Sequence, residues 1–166
     1  PVFIARDRRD SSPLLAAQAM EAVRAAGFSP IDCGQVPTPA LAHHAFQRGA
    51  ACIMVTGSHI PADRNGLKFY RPGAEINKAD EAGIAERALH APSLPQSIPP
   101  LGEDAAQTVM DGWRKRHAGL LPPTALSGMT IGVHGHSSVA TQFLGELLAG
   151  LGANVVRFGQ SEAFTP

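Results

Sequence analysis

The sequence predicts an α/β fold: a mixed, mostly parallel sheet sandwiched by helices, followed by part of a second α/β domain. Three observations indicate this class. Short apolar runs alternate with Ala/Leu-rich segments of helical length, which is typical of strand–helix–strand units. Glycines such as Gly27 and Gly49 follow the helical segments, where helices commonly end. The composition, 44% apolar and 17% charged over 166 residues, is that of a folded globular chain.

The first part of the chain predicts one domain, residues 1–90. Its strand-like segments are residues 1–5, 28–33, 50–56 and 66–71, and its helical segments are residues 14–26, 40–48 and 78–90. Ser12-Pro13 and Thr38-Pro39 are expected to start the first two helices, with the hydroxyl residue as N-cap and proline at the first helical position. The nearly uninterrupted apolar run at 50–56 suits a strand buried on both faces.

The middle of the chain, residues 91–128, predicts a linker and a connecting helix. Four prolines between positions 91 and 100 argue against a helix or a central strand there. Residues 103–117 begin acidic and end with Arg114-Lys115-Arg116-His117, the charge order that a helix dipole favours.

The last part, residues 129–166, predicts the β–α–β start of a second domain. A strand is expected at 129–134, a helix at 138–151 and a second strand at 153–158. A lone unit of this kind leaves an exposed sheet edge, so we expect the domain to be truncated and the sequence to belong to a longer protein. Two chains are expected to be able to pair through that edge as a homodimer.

Charge, hydropathy and cysteine content exclude several classes of protein. Fourteen basic residues balance 14 acidic ones, so no global field draws nucleic acid or an anionic membrane. No apolar run approaches the roughly 20 residues of a membrane helix, and the opening residues lack the pattern of a signal peptide. Cys33 and Cys52 each sit inside a strand-like run, which argues against a disulfide framework or a CxxC metal site. We therefore expect a cytoplasmic protein.

The candidate site follows the third predicted strand. Ligands of an α/β sheet bind beyond the carboxyl ends of its strands, where Thr56-Gly57-Ser58-His59 lies. Gly57 permits close backbone approach, Ser58 offers a nucleophilic hydroxyl, and His59 can exchange a proton. Taken alone, however, a serine in such a turn is usually only a hydrogen-bonding turn residue.

Cations close to this segment favour the binding of an anion. Asn65-Gly66 predicts a tight turn that brings Lys68 back beside the preceding strand. Asp7 and Arg9 follow the first strand at the same sheet edge, and the planar fork of Arg9 is expected to clamp a phosphorylated serine. The neighbouring arginines, Arg6 and Arg8, are expected at the solvated surface.

These segments resemble the motifs of the α-D-phosphohexomutases, the phosphomannomutase and phosphoglucomutase family. The segment Thr56-Gly57-Ser58-His59-Ile60-Pro61 with Asn65-Gly66-Leu67-Lys68 is similar to the family signature TASHNP…NGxK. Residues 5–12 resemble its GxDxRxSS element and residues 34–39 its GxxxTP turn, whereas 129–158 resembles more loosely the start of its second domain. Gly57 stands where the family commonly has alanine, and Ile60 where it has asparagine.

The resemblance implies an isomerase that works as an intramolecular phosphotransferase. Ser58 would carry the phosphoryl group, pass it to a hexose phosphate and recover it from a bisphosphorylated sugar. Arg9, Lys68 and Mg²⁺ would neutralise the phosphate, the metal being bound through the phosphate on Ser58, and His59 and Lys68 both stay open as proton-transfer groups. The remaining residues expected to bind substrate or phosphate are Thr56, Gly57, Asn65, Gly66 and Asp7.

The resemblance leaves several alternatives open. Mannose 1- and 6-phosphate are the expected substrates, because TGSHIP resembles bacterial phosphomannomutases; glucose phosphates are the alternative. The acidic metal loop and the sugar loops of the family do not occur in these residues, so the isolated chain is expected to be inactive. A non-catalytic phosphate-binding module is the competing class. A serine hydrolase is disfavoured because no GxSxG elbow occurs, and Gly135-His136-Ser137-Ser138 predicts helix capping rather than an anion site.

Overall fold

The computed structural model describes residues 1–90 and 105–165 and contains a five-stranded and a two-stranded sheet. The elements of the described residues are, in chain order, β1 (Val2–Arg6), α1 (Ser12–Ala25), β2 (Pro30–Asp32), α2 (Thr38–Phe46), β3 (Ala51–Val55), β4 (Leu67–Arg71), β5 (Ala74–Glu75), α3 (Lys78–Ala88), α4 (Ala106–His117), β6 (Thr130–His136), α5 (Thr141–Gly150) and β7 (Asn154–Gln160). The predicted α/β class is confirmed. The proline-rich segment, residues 91–104, lies outside the described residues, so the division into domains stays a prediction.

The larger sheet is mixed, with strand order β2-β1-β3-β4-β5. Strands β2, β1 and β3 run parallel, whereas β4 and β5 are antiparallel to their neighbours. Helix α1 covers one face, where Ile4 and Val55 pack with Met20. Helices α2 and α4 cover the other, where Phe3 and Met54 join the core. The alternation of Phe3 and Ile4 between the two faces is the two-residue period of a strand.

The parallel pairing brings the ends of two strands to one edge of this sheet. Arg6, the last residue of β1, is in register with Val55, the last residue of β3. The backbone amide of Asp7 continues the pairing by donating to the carbonyl of Val55 at 3.0 Å. The loops after β1 and β3 therefore start side by side.

The smaller sheet pairs β6 and β7 in parallel, with α5 connecting them. Helix α4 joins this unit to the larger sheet: Val109 is fully buried in the core beside α2, and Arg114 forms an ion pair of 3.1 Å with Glu146 of α5. In the described part of the chain β7 has no second strand partner. Pairing of two chains at this edge stays a prediction.

Two helix starts differ from the prediction. The N-cap of α1 is Ser11, and Ser12 is the first helical residue, with its hydroxyl donating to Asp7 rather than capping the helix. The N-cap of α2 is Pro37, with Thr38 as its first helical residue. In both cases the proline occupies the second helical position, where its missing amide hydrogen costs no intrahelical bond.

One further strand and one helix boundary also differ from the prediction. The sequence does not predict the two-residue strand β5, because it is too short for a periodic pattern. Helix α5 begins at Thr141 instead of 138, since Ser138 uses its hydroxyl to accept the amide of Ala140 ahead of the helix. Among the described helices, none has both the length and the apolar character that crossing a bilayer requires.

Candidate active site

The loop between β3 and β4 presents Ser58 to solvent. Ser58 is exposed and adopts a left-handed backbone conformation, with φ of 52°. Such a conformation costs a residue with a β-carbon of the order of 1 kcal/mol, and strained residues of this kind cluster at functional sites. The hydroxyl of Ser58 makes no hydrogen bond with any of residues 1–90 or 105–165. It is therefore free to react or to carry a substituent.

The loop reverses direction through two turns that differ from the predicted one. The amide of Ile60 donates to the carbonyl of Gly57, and the amide of Arg64 to that of Pro61. Asn65-Gly66, predicted as the tight turn, has no positive φ at either residue. The prediction of an Asn-Gly turn is wrong, because the chain has already reversed between 57 and 64.

Asn65 and Gly66 instead fasten the end of the loop. The side-chain amide of Asn65 donates to the hydroxyls of Ser11 and Ser12, at 3.0 and 2.8 Å. The carbonyl of Gly66 accepts the amide of Thr56, and a β-carbon on Gly66 would lie 3.1 Å from the carbonyl oxygen of Thr56. Both residues, expected to bind substrate or phosphate, thus hold the loop against the start of α1 and the end of β3.

Asp7 and Thr56 hold the backbone of Ser58. The hydroxyl of Thr56 donates to Oδ2 of Asp7 at 2.8 Å and accepts the amide of Ser58 at 3.1 Å. The other oxygen of Asp7 accepts the amide of Arg9 and the hydroxyl of Ser12. Both oxygens of this carboxylate are therefore engaged inside the protein, which differs from the substrate-binding role predicted for Asp7.

Arg9 lies beneath the loop rather than above it. Its side chain is buried, with only 1% of the residue exposed. Four carbonyl oxygens of the loop accept hydrogen bonds from its two Nη atoms: Pro61 and Arg64 from Nη1, and Ser58 and Ile60 from Nη2. Nε lies 3.3 Å from Oδ2 of Asp7, which gives an ion pair without an aligned hydrogen bond. The predicted clamp on the phosphate does not fit this arrangement, because every Nη hydrogen already has a carbonyl partner.

A cleft of about 320 Å³ lies over Ser58. One wall is formed by the loops after β1 and β3, including His59, and the other by His136 at the end of β6 and by the loop that follows it. Ser58 and His136, with φ of 52° and 50°, are the two non-glycine residues with positive φ among those described. Strained backbone of this kind concentrates at functional sites. Each wall of the cleft contains one such residue, so both walls have this feature of a functional site. Sequence reasoning weighed an anion site at residues 135–138 but favoured helix capping, so it did not place this second wall beside Ser58.

The two candidates for proton transfer lie differently. His59 is exposed and lines the cleft beside Ser58. Lys68 is exposed on β4 and is not among the residues that line the cleft. It lies directly opposite Met54, which does line it, and residues paired in this way project from the same face of a sheet. Within the described residues the ammonium group of Lys68 has no carboxylate partner.

The described residues do not form a metal site. No group of three or more His, Cys, Asp or Glu side chains that could bind a metal ion occurs among them. Asp7, the carboxylate that lines the cleft, has both oxygens in internal hydrogen bonds. The expected Mg²⁺ would find no complete ligand set in residues 1–90 and 105–165.

The geometry also disfavours a serine hydrolase. Such an enzyme requires a histidine within hydrogen-bond reach of the serine and an acid that orients the histidine. In the part of the chain that the structure describes, no histidine contacts the hydroxyl of Ser58, and His59 has no carboxylate partner.

Comparison with known proteins finds one family profile and several similar sequences. Residues 1–93 match the sequence profile of the phosphoglucomutase/phosphomannomutase alpha/beta/alpha domain I. A phosphomannomutase of Sinorhizobium fredii is 48% identical over 99% of this chain, which covers 35% of that protein. A phosphomannomutase of Salmonella muenchen is 39% identical over 99% of this chain and is covered over 34% of its length.

A solved structure of the same family has a similar fold. The crystal structure of a phosphoglucomutase/phosphomannomutase family protein from Burkholderia thailandensis superposes with a TM-score of 0.75 and 29% identity, covering 99% of this chain and 36% of that one. The chain thus spans about a third of the length of the curated relatives that it matches.

Proposed function

The chain belongs to the phosphoglucomutase/phosphomannomutase family, and on that premise we propose that Ser58 carries the phosphoryl group of a hexose phosphate isomerase. The enzyme would interconvert hexose 1-phosphate and hexose 6-phosphate. Mannose phosphates are the first choice of substrate, because relatives that are 48% and 39% identical are named phosphomannomutase. Glucose phosphates are the alternative within the same family.

The observation that carries this proposal is the contrast between the hydroxyl and the backbone of Ser58. The hydroxyl is without a partner among the described residues and faces a cleft of about 320 Å³. The backbone is held by Thr56 at the amide and by Arg9 at the carbonyl. A group that must accept and return a phosphoryl group needs this combination of a fixed position and an unengaged oxygen.

The proposed transfer is a displacement at phosphorus. A sugar hydroxyl attacks the phosphate on Ser58, the bond from phosphorus to the sugar oxygen forms, and the bond from phosphorus to Oγ breaks. The proton of the sugar hydroxyl leaves to a base, and Oγ is restored as a hydroxyl by a proton from the protein or solvent. The bisphosphorylated sugar then returns its other phosphoryl group to Oγ by the same step in reverse.

His59 is the better placed of the two candidate bases. It lines the cleft next to Ser58, and a neutral imidazole can take the proton of a hydroxyl at physiological pH. Lys68 projects from the same face of the sheet as Met54, a residue of β3 that lines the cleft. We assign it the balancing of phosphate charge, for which a mobile ammonium group suffices.

The family generally uses Mg²⁺, which would supply charge neutralisation at the transferring phosphate. The described residues offer no ligand set for it. The proposal therefore assigns no step to the metal and places its remaining ligands outside residues 1–90 and 105–165.

Intact-mass spectrometry tests the carrier role. The chain is incubated with mannose 1,6-bisphosphate, and we expect one phosphoryl group per chain, absent in Ser58→Ala. Ser29→Ala is the matched control, because Ser29 is also an exposed serine and is not among the residues that line the cleft; this variant should take up phosphate like the unaltered chain. If phosphate binds to the unaltered chain and to Ser58→Ala but is removed from both by dialysis, the non-catalytic binding module is supported instead. Covalent uptake that persists in Ser58→Ala would refute the role of Ser58 as the carrier.

A second measurement concerns turnover. Because its relatives are about three times as long, we propose that the 166-residue chain accepts phosphate without completing isomerisation. Conversion of mannose 1-phosphate to mannose 6-phosphate by the purified chain at a rate typical of enzymes would contradict this.

A further inference from the structure

The segment that follows β7 returns to the serine loop, where Phe164 and Thr165 line the same cleft as Ser58. The amide of Ser161 donates to the carbonyl of His136 at 3.0 Å, which directs the chain back past the end of β6. Three residues later the ring of Phe164 lies over Arg9, with Cζ of the guanidinium 4.1 Å from the ring centroid. Residues 161–165, here called the return segment, therefore contact the residue that holds the loop of Ser58.

Ser137 anchors the return segment. This serine is 4% exposed, and its hydroxyl oxygen accepts the amide of Thr165 at 3.1 Å and lies 3.2 Å from the carbonyl oxygen of the same residue. A buried hydroxyl that meets both backbone groups of one residue restricts where that residue can lie. Phe164 precedes Thr165 directly, so Ser137 also restricts the position of the aromatic ring.

The ring of Phe164 completes the surroundings of Arg9. A guanidinium group has hydrogen-bond donors around its edge and none on its faces. The edge of Arg9 meets four loop carbonyls and Asp7, and an aromatic face attracts such a cation. The burial of Arg9, at 1% exposed, shows that water has little access to it.

We propose that Phe164 is a positioning residue for Ser58, acting through Arg9. With the ring in place, the guanidinium stays against the four carbonyls, and the backbone of Ser58 stays in its left-handed conformation. Without the ring, water reaches the guanidinium, the carbonyl contacts weaken, and the loop samples other conformations. The inference rests on the proposed role of Ser58 as the phosphoryl carrier, and it ties the second sheet of the molecule to the geometry of that serine.

Two substitutions at position 164 distinguish the effect of the aromatic ring from that of apolar volume alone. Phe164→Tyr keeps an aromatic face, whereas Phe164→Leu keeps an apolar side chain without one. Phe158→Leu is the matched control, because Phe158 is 54% exposed and lies on β7, away from Arg9. Ser137→Ala removes the anchor of the return segment and leaves Phe164 itself unchanged, and Ser138→Ala controls for the loss of a serine from the same loop.

The first readout is hydrogen exchange of the backbone amides of residues 57–66 in the 166-residue chain. We expect exchange about tenfold faster in Phe164→Leu and in Ser137→Ala, the size of effect that a buried cation–aromatic contact can produce. Phe164→Tyr and both controls should match the unaltered chain. Unchanged loop exchange in Phe164→Leu, or an equal rise in Phe158→Leu, would overturn the proposal.

The second readout is the rate at which Ser58 takes up phosphate from mannose 1,6-bisphosphate. Phe164→Leu should lower the rate at saturating donor by about tenfold with little change in the half-saturating concentration, since a displaced nucleophile loses reactivity more than binding. Phe164→Tyr should restore the rate. Equal rates in the unaltered chain and in Phe164→Leu would refute the positioning role and leave the carrier intact. If the unaltered chain takes up no phosphate, the carrier role fails, and loop exchange alone decides the positioning role.

Discussion

Gly57 and Arg9 share one space, because a β-carbon built on Gly57 would lie 2.5 Å from Cζ of Arg9. In this arrangement the guanidinium occupies the space that a side chain at residue 57 would need. The family motif commonly has alanine at this position. The burial of Arg9 in this chain and the glycine at position 57 thus depend on each other.

Gly57→Ala is therefore expected to destabilise the protein. The added methyl group must displace a guanidinium that four carbonyls hold, and overpacking of this kind typically costs about 1–3 kcal/mol. Urea unfolding followed by circular dichroism measures the free energy of unfolding. Gly83→Ala is the control, because nothing lies within 4 Å of a β-carbon at this position in α3. This variant should be more stable than the unaltered chain by up to about 1 kcal/mol, since alanine is favoured over glycine inside a helix. Equal stability of Gly57→Ala and the unaltered chain would contradict the close packing.

Asp7→Asn tests the charge beneath the loop. Arg9 is buried, and Asp7 is its one carboxylate partner among the described residues. Removing one partner of a buried pair leaves the other charge uncompensated, and we expect a loss of about 3 kcal/mol in the free energy of unfolding. Asp10→Asn, at an exposed position with no partner in the described chain, should stay within about 0.5 kcal/mol. If the two variants unfold at the same urea concentration, the ion pair contributes nothing to stability.

Thr56→Val tests the link between Asp7 and Ser58. Valine matches the shape of threonine but leaves the amide of Ser58 and Oδ2 of Asp7 without their shared hydroxyl. We expect a loss of about 1–2 kcal/mol in stability and faster hydrogen exchange at the amide of Ser58. Thr130→Val, at an exposed position of β6, should change neither quantity. Exchange at Ser58 that matches the unaltered chain would show that the Thr56 hydroxyl does not hold the loop.

The sequence predicted the position of the site because strand endings are local features. The apolar run at 50–56 identified the strand that became β3, and the rule that ligands bind beyond strand ends then placed Ser58. Ser58 does lie at that edge, in the loop after β3. The five-stranded sheet and its covering helices followed from the same patterns, apart from the two-residue strand β5.

The roles of the individual polar residues could not be predicted in the same way. Whether Arg9 points over or under the loop depends on contacts with residues 49 or more positions away, which no local pattern encodes. Asn65-Gly66 carried a strong turn signal, but the bonds of Asn65 to Ser11 and Ser12 draw it into another arrangement. Phe164 gave no signal at all, because its importance comes from where the return segment runs.

A pH dependence of stability follows from His44. This residue is 5% exposed, and burial, with the nearby charges of Arg48 and His43, lowers the pKa of its imidazole below the ordinary 6.5. The folded protein therefore resists protonation of His44, whereas the unfolded chain accepts a proton near the ordinary value. The stabilising contribution is complete above about pH 6.5 and declines as the pH falls through the lowered pKa of the folded state.

We expect the melting temperature to fall between about pH 7.5 and about pH 5.5, and to fall less in His44→Gln, because glutamine does not titrate in this range. His43 adds to the slope with the same sign, since burial and the charges of Arg116 and His117 also lower its pKa. The difference in slope between the unaltered chain and His44→Gln therefore gives the contribution of His44 alone. His90→Gln, at an exposed position, should keep the slope of the unaltered chain. Parallel slopes for His44→Gln and the unaltered chain would mean that His44 takes up its proton equally well in the folded and unfolded states.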